Sequence, residues 1–469
     1  MQKVIVWLRR DLRLSDNRAM AAALSLPDAV VYPYFVFSPK LLEKTSPVRS
    51  SYLAGVVRDL DGDLDGRLNL DWGDPVGSLV SFALEIGATK VYATKEFSPL
   101  GRTRDEAVGL KLRLNGIQFL LGDSPYLISP GKINRQSGGW YKVFTPYYRA
   151  ALSHGFELPF DIRFDPNRFS NRVLFHRQAE AYLEGSDCFD RKRFPTKASF
   201  VLEAFSTFVE EKLSHYSIGR NSPSTENTSV VSPALRFGVV HPRQLAYLAS
   251  GQEGGSDYIR ELFWRDFYAQ VLLNNPESAW KNLNEQFDQL VYDEIDEATT
   301  RSRLQAWKLG LTGYPIVDAG MRQLLATGWM HNRSRMITAS FLIKDLHVPW
   351  QVGARYFMEH LIDGDLASNN HSWQWVAGSG TDAAPYFRIF NPVLQSKKFD
   401  PNGDYIKTWI KELAEIPSRF VHDPSEAKRL GLIGEASYPS PIVDHALERQ
   451  ITLERYEAMK VVTASNSDE

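Results

Sequence analysis

The run from Asp363 to Pro392, DGDLASNNHSWQWVAGSGTDAAPYFRIFNP, concentrates residues that could do chemistry: carboxylates, amides, a histidine and two tryptophans. Asp365, Asn369 and Trp373 are spaced four apart, so on a helix they share one face. Such groups are costly to bury without partners. A large, flat, polar-edged heteroaromatic ligand would satisfy a carboxylate, an amide and an indole together. The alternative is a structural polar network with tryptophans in the core.

Two further stretches could bind a ligand. The hydroxyls of Thr228, Ser229 and Ser232 precede a predicted helix start, where they either hold a phosphate or cap the helix. In ELFWRDFY, Glu261, Trp264 and Arg265 fall on one helix face, which either lines a site or forms a solvated salt bridge.

GWMHNRSRM predicts another such helix face, shared by Asn332, Arg335 and Met336, with Arg333 pointing elsewhere. An arginine aimed inward needs a carboxylate, and Asp363 or Asp365 would serve, in a site or as a structural pair.

Arginines could form a local phosphate-binding patch, although for each arginine taken singly a solvated surface role is the better explanation. The candidates are Arg220, Arg265, Arg333 and Arg388. The net charge of −2 argues against global attraction to nucleic acid, but only the charges near the phosphates matter.

The composition excludes several classes of protein. The 469 residues, 43% hydrophobic and 23% charged, are ordinary for a globular protein of two or three domains. The single cysteine, Cys188, excludes an intramolecular disulfide and a thiolate zinc site. Because no HExxH, P-loop lysine motif or GxSxG elbow occurs, we expect neither a metal nor a nucleophile. With no signal peptide and no membrane-length apolar segment, we expect a cytoplasmic protein.

The order of apolar patterns predicts an α/β part followed by a helical part. Strands are predicted over 3–8, 30–37, 90–93 and 117–122, and helices over 79–86 and 104–114, which indicates a parallel sheet covered on both faces within about residues 1–130. Residues 131–195 form a long connection. Helical periodicity then dominates 196–469.

Taken together these motifs resemble the DNA photolyase/cryptochrome family, most closely the bacterial photolyases that repair cyclobutane pyrimidine dimers. The similarity covers nearly the whole chain. Its motifs are, in order, WLRRDLRLSDNRAM, WYKVFTP, TSVVSPALRFG, ELFWRDFY, WKLGLTGYPIVDAGMRQL, GWMHNRSRM and the run from Asp363.

The resemblance implies a Rossmann-like N-terminal domain and a C-terminal helical domain that binds flavin adenine dinucleotide (FAD). It places Asp365 at the polar edge of the flavin ring, Asn369 opposite ring nitrogen N5, and Asp363 beside the flavin, paired with Arg335. The matching phosphate- and ribose-holding positions are Tyr216, Thr228, Ser229 and Ser232.

On the substrate side, the resemblance implies a carbon–carbon lyase acting on dimer-containing DNA. Photoexcited reduced FAD would pass an electron to a flipped-out lesion, two C–C bonds would split, and the electron would return. Glu261 matches the acid that stabilises charge on the dimer, and Trp264 and Trp375 match indoles that pack against it. Asn332 and Met336 match its remaining contacts, while the four arginines would meet the DNA.

The chain departs from the family in places. Trp373 and Trp350 match the inner members of an electron relay, but the outer position falls in QLVYDEIDEATTRS, which leaves Tyr292 or the more distant Trp280. Many relatives carry glycines where this chain has His371 and Ser372, to which no role is assigned, and an arginine is common at Val230. Family members often hold a folate or deazaflavin antenna, but EFSPLGRTRDE at 96–106 matches neither pattern.

The competing interpretation is a blue-light receptor (cryptochrome) without repair activity. Asn369 opposite N5, the complete set of lesion-side residues and a short tail favour repair, and Asn332 argues against (6-4) photoproduct enzymes. A flavin electron carrier is a weaker third class. We expect a monomer with no obligate protein partner.

Overall fold

The N-terminal part of the chain forms a parallel sheet, as its alternating apolar runs predict. The structure is a computed structural model that describes residues 1–162, 165–383, 385, 388–434 and 436–465. In the described residues, five strands occur: β1 Gln2–Trp7, β2 Ala29–Phe37, β3 Asn69–Trp72, β4 Lys90–Thr94 and β5 Gln118–Gly122. They pair in parallel in the order β3-β2-β1-β4-β5. Central strands rich in valine, isoleucine and aromatics are buried on both faces by the helices that follow.

Several helices of the N-terminal part begin at a capping side chain followed by a proline in the first turn. For example, Ser98 accepts a hydrogen bond from Gly101 N, and Pro99 occupies the first turn of α5. The bounds are α1 Arg18–Leu24, α2 Pro39–Leu42, α3 Pro47–Asp63, α4 Pro75–Glu85, α5 Pro99–Leu114, α6 Phe144–His154, α7 Arg177–Leu183 and α8 Ala198–Glu211.

The rest of the chain is helical, as its periodicity predicts. The bounds are α9 Tyr216–Gly219, α10 Ser232–Phe237, α11 Pro242–Ala249, α12 Gly255–Asn274, α13 Ala298–Leu309, α14 Pro315–Thr327, α15 Asn332–Lys344, α16 Trp350–His360, α17 Leu366–Ala377, α18 Pro392–Phe399, α19 Asp404–Trp409, α20 Ser418–Val421, α21 Ser425–Arg429 and α22 His445–Ser465. The predicted fold class is confirmed. In the described residues, no helix is long and apolar enough to cross a membrane.

The chain divides into two compact units, each built from several stretches. The first contains Met1–Ser214, Ser229–Pro276 and Ile362–Asp365; the second contains His215–Thr228, Glu277–Leu361 and Leu366–Glu469. Helices α8, α11 and α12 therefore belong with the sheet. The boundaries predicted at 130 and 195 separate types of element along the chain. The compact units do not follow these boundaries, because each unit combines stretches that are distant in sequence.

The core of the second unit positions the candidate site residues that lie in it. Helix α14 packs on α15 and α19, and α16 packs on α17. Trp307, Phe341, Trp350 and Trp373 are among the residues buried in this core.

Candidate functional site

The segment Ile362–Asp365 is held in the first unit by four side chains. Ser232 Oγ donates to Asp363 Oδ2 over 2.6 Å, and Arg10 Nη2 donates to Asp365 Oδ2 over 2.6 Å. The carbonyl of Gly364 accepts from Arg49 Nη2 (2.8 Å) and from Arg236 Nε (2.7 Å). A serine hydroxyl thus holds the carboxylate of Asp363, and an arginine holds the carboxylate of Asp365 by a charge-assisted hydrogen bond.

Three arginines, Arg10, Arg49 and Arg236, lie around this segment. Burial and the neighbouring charges of Arg10 and Arg49 lower the pKa of Arg236 to about 9. Burial alone would lower the pKa of Arg10, but the charges of Asp365, Tyr126 and Glu96 outweigh it and raise that pKa. An additional anion would relieve the repulsion among the arginines. The sequence reasoning missed Arg10, Arg49 and Arg236, although Arg10 follows β1 at the carboxyl edge of the sheet, where α/β folds bind ligands.

The hydroxyl-bearing residues Thr228, Ser229 and Ser232 lie at the start of a helix, as predicted, since α10 begins at Ser232. Ser229 Oγ and the Tyr258 hydroxyl share a hydrogen bond of 3.0 Å. Thr228 and Ser229 are half-buried, and Val230 between them and α10 has a positive φ of 50°. Tyr216 is buried in α9 of the second unit, with the Arg220 guanidinium 5.7 Å from its ring centroid.

Asn369 and Trp373 lie on α17, one turn apart, as their spacing predicts. The expectation that Asp365 shares this helix face is wrong, because α17 begins at Leu366 and Asp365 precedes it. Trp373 packs against α16 at Gly353, where a Cβ would come within 2.2 Å of the indole. Only glycine at 353 therefore allows this position of the ring. Phe357 meets Trp373 edge-on with ring centroids 5.0 Å apart.

His371 has a structural explanation that the sequence reasoning lacked. The side chain is 1% exposed. Its Nδ1 donates to Ala367 O over 2.8 Å, and its Nε2 shares a 3.0 Å hydrogen bond with Ser278 Oγ. His371 thus ties α17 to the 3-10 turn Pro276–Ala279.

On α15, Asn332 and Met336 lie together, as predicted. The expectation that Arg333 points elsewhere is wrong. Arg333 Nη1 lies 3.8 Å from Met336 Sδ. Asn332 Nδ2 lies at the same distance from this sulfur. Arg333 Nη2 also donates to Asn221 Oδ1 (2.6 Å), and its guanidinium lies 4.1 Å from the Phe399 ring centroid.

His331 caps α15 and was not selected from the sequence. Its Nδ1 accepts from Arg333 N over 3.1 Å. Burial and the charges of Arg333, Arg335 and Arg220 lower the pKa of His331 to about 3, so the ring is neutral.

Arg335 Nε donates to Met330 O over 2.8 Å.

Helix α12 of the first unit carries Glu261 and Trp264, both half-buried. The Trp264 ring stacks on Phe144, with centroids 3.7 Å apart and planes 10° apart. Arg265, in contrast, is bound within the protein: Nη1 donates to Pro125 O (2.6 Å) and Nη2 to Leu235 O (3.4 Å). These bonds favour a structural role for Arg265 over a contact with DNA.

Arg388 is exposed and Trp375 half-buried in the second unit. Lys344 Nζ donates to Arg388 O over 2.9 Å and so holds the backbone that presents this arginine. Burial lowers the pKa of Lys344 to about 8. Of the aromatics predicted to flank Arg388, Tyr386 and Phe387 lie outside the described residues.

The two candidates for the outer end of the relay differ in exposure. Trp350 is buried, and its Nε1 donates to Asn282 Oδ1 over 2.9 Å. The next residue, Gln351, donates from Nε2 to the carbonyl of Trp280 (3.5 Å), whose side chain is 55% exposed. Tyr292 instead packs against hydrophobic cores, and burial together with Asp288 raises its pKa. Trp280 therefore has the exposure that an outer member needs.

A cavity of about 930 Å³ opens in the first unit between α5 and β5. The stretch 96–106 contributes Glu96, Phe97, Arg102 and Asp105 to its lining, and β5 contributes Phe119. Aromatic and charged side chains together suit a planar heteroaromatic ligand with ionised groups.

The residues present fit FAD, the cofactor that the resemblance implies. The first unit offers the hydroxyls of Ser229 and Ser232, the two fixed carboxylates and the guanidinium groups of Arg10, Arg49 and Arg236, which can hold a diphosphate. The second unit offers Asn369, whose amide nitrogen is fully bonded within the protein, so that its oxygen remains as an acceptor.

Comparison with known proteins agrees with this chemistry. Residues 4–162 match the family model described as DNA photolyase, and residues 258–458 match the FAD binding domain of DNA photolyase. The deoxyribodipyrimidine photo-lyase of Vibrio cholerae is 36% identical, over 97% of this chain and 99% of that protein.

Solved structures are similar along nearly their whole length. A bacterial class III photolyase from Agrobacterium tumefaciens has a TM-score of 0.88 and 34% identity, covering 98% of each chain. An archaeal photolyase from Sulfolobus tokodaii with two FAD molecules has a TM-score of 0.83 and 29% identity, covering 97% of this chain and all of that one. With its sheet unit, its helical core and its FAD-binding residue types, the chain belongs to the DNA photolyase family and is an FAD-binding deoxyribodipyrimidine photo-lyase.

Proposed function

We propose that this photolyase splits cyclobutane pyrimidine dimers by light-driven electron transfer to a lesion turned out of the duplex. The observation that carries the proposal is the pair of Glu261 and Trp264 on α12. Stacking on Phe144 makes the half-buried Trp264 ring a rigid aromatic surface, of the kind on which an unstacked base packs. Dimers are poorly stacked, which lowers the cost of extruding them.

The FAD, when bound in its reduced form and excited by light, supplies the electron. We propose that Asp363, Asp365, Asn369, Arg335, Tyr216, Thr228, Ser229 and Ser232 hold it. Glu261 hydrogen-bonds the dimer and stabilises the charge that develops on it, an effect that is large where water is excluded. Asn332, Met336 and Trp375 contact the lesion.

On the DNA side, the proposed phosphate contacts are Arg220, Arg333 and Arg388. The bonds of Arg265 to two backbone carbonyls remove it from this set. Asn332 and Met336, which lie together on α15, belong to the lesion pocket of the same proposal.

An antenna chromophore is proposed for the α/β unit, in the cavity between α5 and β5. The stretch that matches neither the folate nor the deazaflavin pattern lines this cavity. The related archaeal photolyase carries a second FAD, so a flavin joins folate and deazaflavin as a candidate. Chromatography of the chromophores released from purified protein identifies the occupant.

The central test is repair of dimer-containing DNA by the protein with reduced FAD under blue light. We expect Glu261→Ala to lower repair per absorbed photon about tenfold or more while DNA affinity changes little, because the lost stabilisation acts on the charged lesion. Glu253→Ala, which removes an exposed carboxylate just before α12, is the matched control and should repair normally.

Two results would contradict the proposal. Equal repair per photon in Glu261→Ala removes this residue from the chemistry. No repair by the wild-type protein with reduced FAD favours the blue-light receptor instead.

A further inference from the structure

The amide of Asn369 has one defined orientation. Its Nδ2 donates to Ala354 O over 3.0 Å and to Asn370 Oδ1 over 2.8 Å. A backbone carbonyl can only accept, so the nitrogen must face Ala354. Both amide hydrogens are used, and Oδ1 remains as a pure acceptor.

The second of these bonds depends on the orientation of Asn370. Asn370 Nδ2 donates to Ala279 O, again a carbonyl that can only accept, so Asn370 Oδ1 must face Asn369. Turning either amide over would bring two oxygens, or two hydrogen-bearing nitrogens, into contact. The hydrogen bond between the two asparagines and the bond of each to a backbone carbonyl therefore fix the orientation of both amides.

The turn that carries Ala279 is itself held by α17. Ser278 Oγ is bonded to His371 Nε2, and Ser278 O accepts from Gln374 Nε2 over 2.8 Å. Gln374 Oε1 accepts from Leu283 N over 2.8 Å. Asn370, His371 and Gln374 are all buried, so the carbonyl of Ala279 is presented by a rigid frame.

We propose that Asn370 is a positioning residue that sets the redox preference of the FAD by fixing Asn369 Oδ1 as an acceptor toward ring nitrogen N5. This inference rests on the proposed contact between Asn369 and N5. In the reduced ring N5 carries a hydrogen, and in the oxidised ring it carries only a lone pair. An acceptor therefore favours the reduced cofactor, whereas a freely turning amide could also donate to the oxidised one.

The test compares the affinities of the FAD-depleted protein for oxidised and for reduced FAD, the latter measured without oxygen. For Asn370→Ala we expect the affinity for reduced FAD to fall about fivefold to tenfold, the effect of one hydrogen bond, while the affinity for oxidised FAD is unchanged or rises. The midpoint potential of the bound FAD falls correspondingly. Asn370→Leu, which keeps the side-chain volume, replaces the alanine variant if that variant does not fold.

Ser396→Ala is the matched control, because it removes a buried hydrogen bond of the second unit, between Ser396 Oγ and His422 Nδ1, that involves neither Asn370 nor the turn that carries Ala279. It should lower the thermal unfolding temperature and leave the ratio of the two affinities unchanged. If Asn370→Ala weakens both forms of FAD equally, its role is merely structural and the inference is overturned.

Asn369→Ala separates this inference from the proposed function. If that variant leaves the ratio unchanged, the placement of Asn369 opposite N5 fails. If it shifts the ratio and Asn370→Ala does not, the placement stands and only the positioning role fails. In the double variant, we expect no shift beyond that of Asn369→Ala alone, because Asn370 acts through Asn369.

Discussion

His331 shows how a single buried residue ties the stability of this protein to pH. Its pKa of about 3 in the folded protein lies below the ordinary value of 6.5. The unfolded chain therefore takes up a proton as the pH falls below 6.5, while the folded protein resists protonation down to about pH 3. Stability is lost across this window, and protonation at Nδ1 would also break the cap on Arg333 N.

We expect the wild-type protein to lose about 1–2 kcal/mol more unfolding free energy than His331→Asn between pH 7 and pH 5. Asparagine caps a helix well and does not titrate, so it keeps the cap and removes the titration. Urea unfolding at the two pH values measures the difference. Equal losses in the two proteins would show that His331 does not carry this dependence.

At the scale of elements, α16 and the residue that follows the turn Pro276–Ala279 carry the side chains that we propose for the electron path from the surface to the FAD. Trp350 at the start of α16 is bonded to Asn282, and the exposed Trp280 lies next to Gln351. Tyr292 is instead half-buried and packs against two hydrophobic clusters. The structure thus favours the candidate that is more distant from the expected position in sequence.

We expect Trp280→Phe to slow light-driven reduction of oxidised FAD in the presence of an external thiol by roughly tenfold, because the indole that exchanges electrons with solution is lost. Repair by FAD that is already reduced should be unaffected. Tyr292→Phe is the matched control and should keep wild-type kinetics. Transient absorption after a laser flash measures both. Slowing in Tyr292→Phe alone would reverse the assignment.

The helices and strands along the chain could be predicted from sequence, because hydrophobic periodicity and capping depend only on residues that are close together in the sequence. The spacing of Asn369 and Trp373 placed both on one helix, and the valine-rich and aromatic runs identified four strands of the sheet. The short strand β3, only four residues long, carries too little pattern to be recognised.

The partners of the candidate residues could not be predicted. Arg10 and Asp365 are separated by 355 positions, and Ser278 and His371 by 93. No local pattern connects such pairs, because only the tertiary fold brings them together. For the same reason, the bonds of Arg265 to the carbonyls of Pro125 and Leu235 could not be predicted.

At the scale of the whole molecule, binding to DNA must come from local charge, since the net charge is −2. We expect the logarithm of the affinity for dimer-containing duplex to fall with the logarithm of salt concentration with a slope near −3, one unit for each proposed arginine, Arg220, Arg333 and Arg388.

Arg388→Gln should weaken binding at low salt and reduce this slope by about one, because one phosphate contact is removed. Arg429→Gln makes the same charge change at an exposed residue outside the proposed set and should leave the slope unchanged. Fluorescence anisotropy across a salt series measures both. A slope unaltered by Arg388→Gln would exclude a phosphate contact at this residue.

The bond between His371 and Ser278 also constrains the order in which this pair of residues can have arisen. A histidine placed at 371 opposite an alanine would lack the buried hydrogen bond of Nε2 to Ser278, which contributes about 0.5–1.5 kcal/mol. A serine at 278 opposite a glycine would leave only a small hydroxyl next to space that a water can fill. The serine is therefore the permissive first step, and once the histidine has followed, reversion of the serine alone becomes disfavoured.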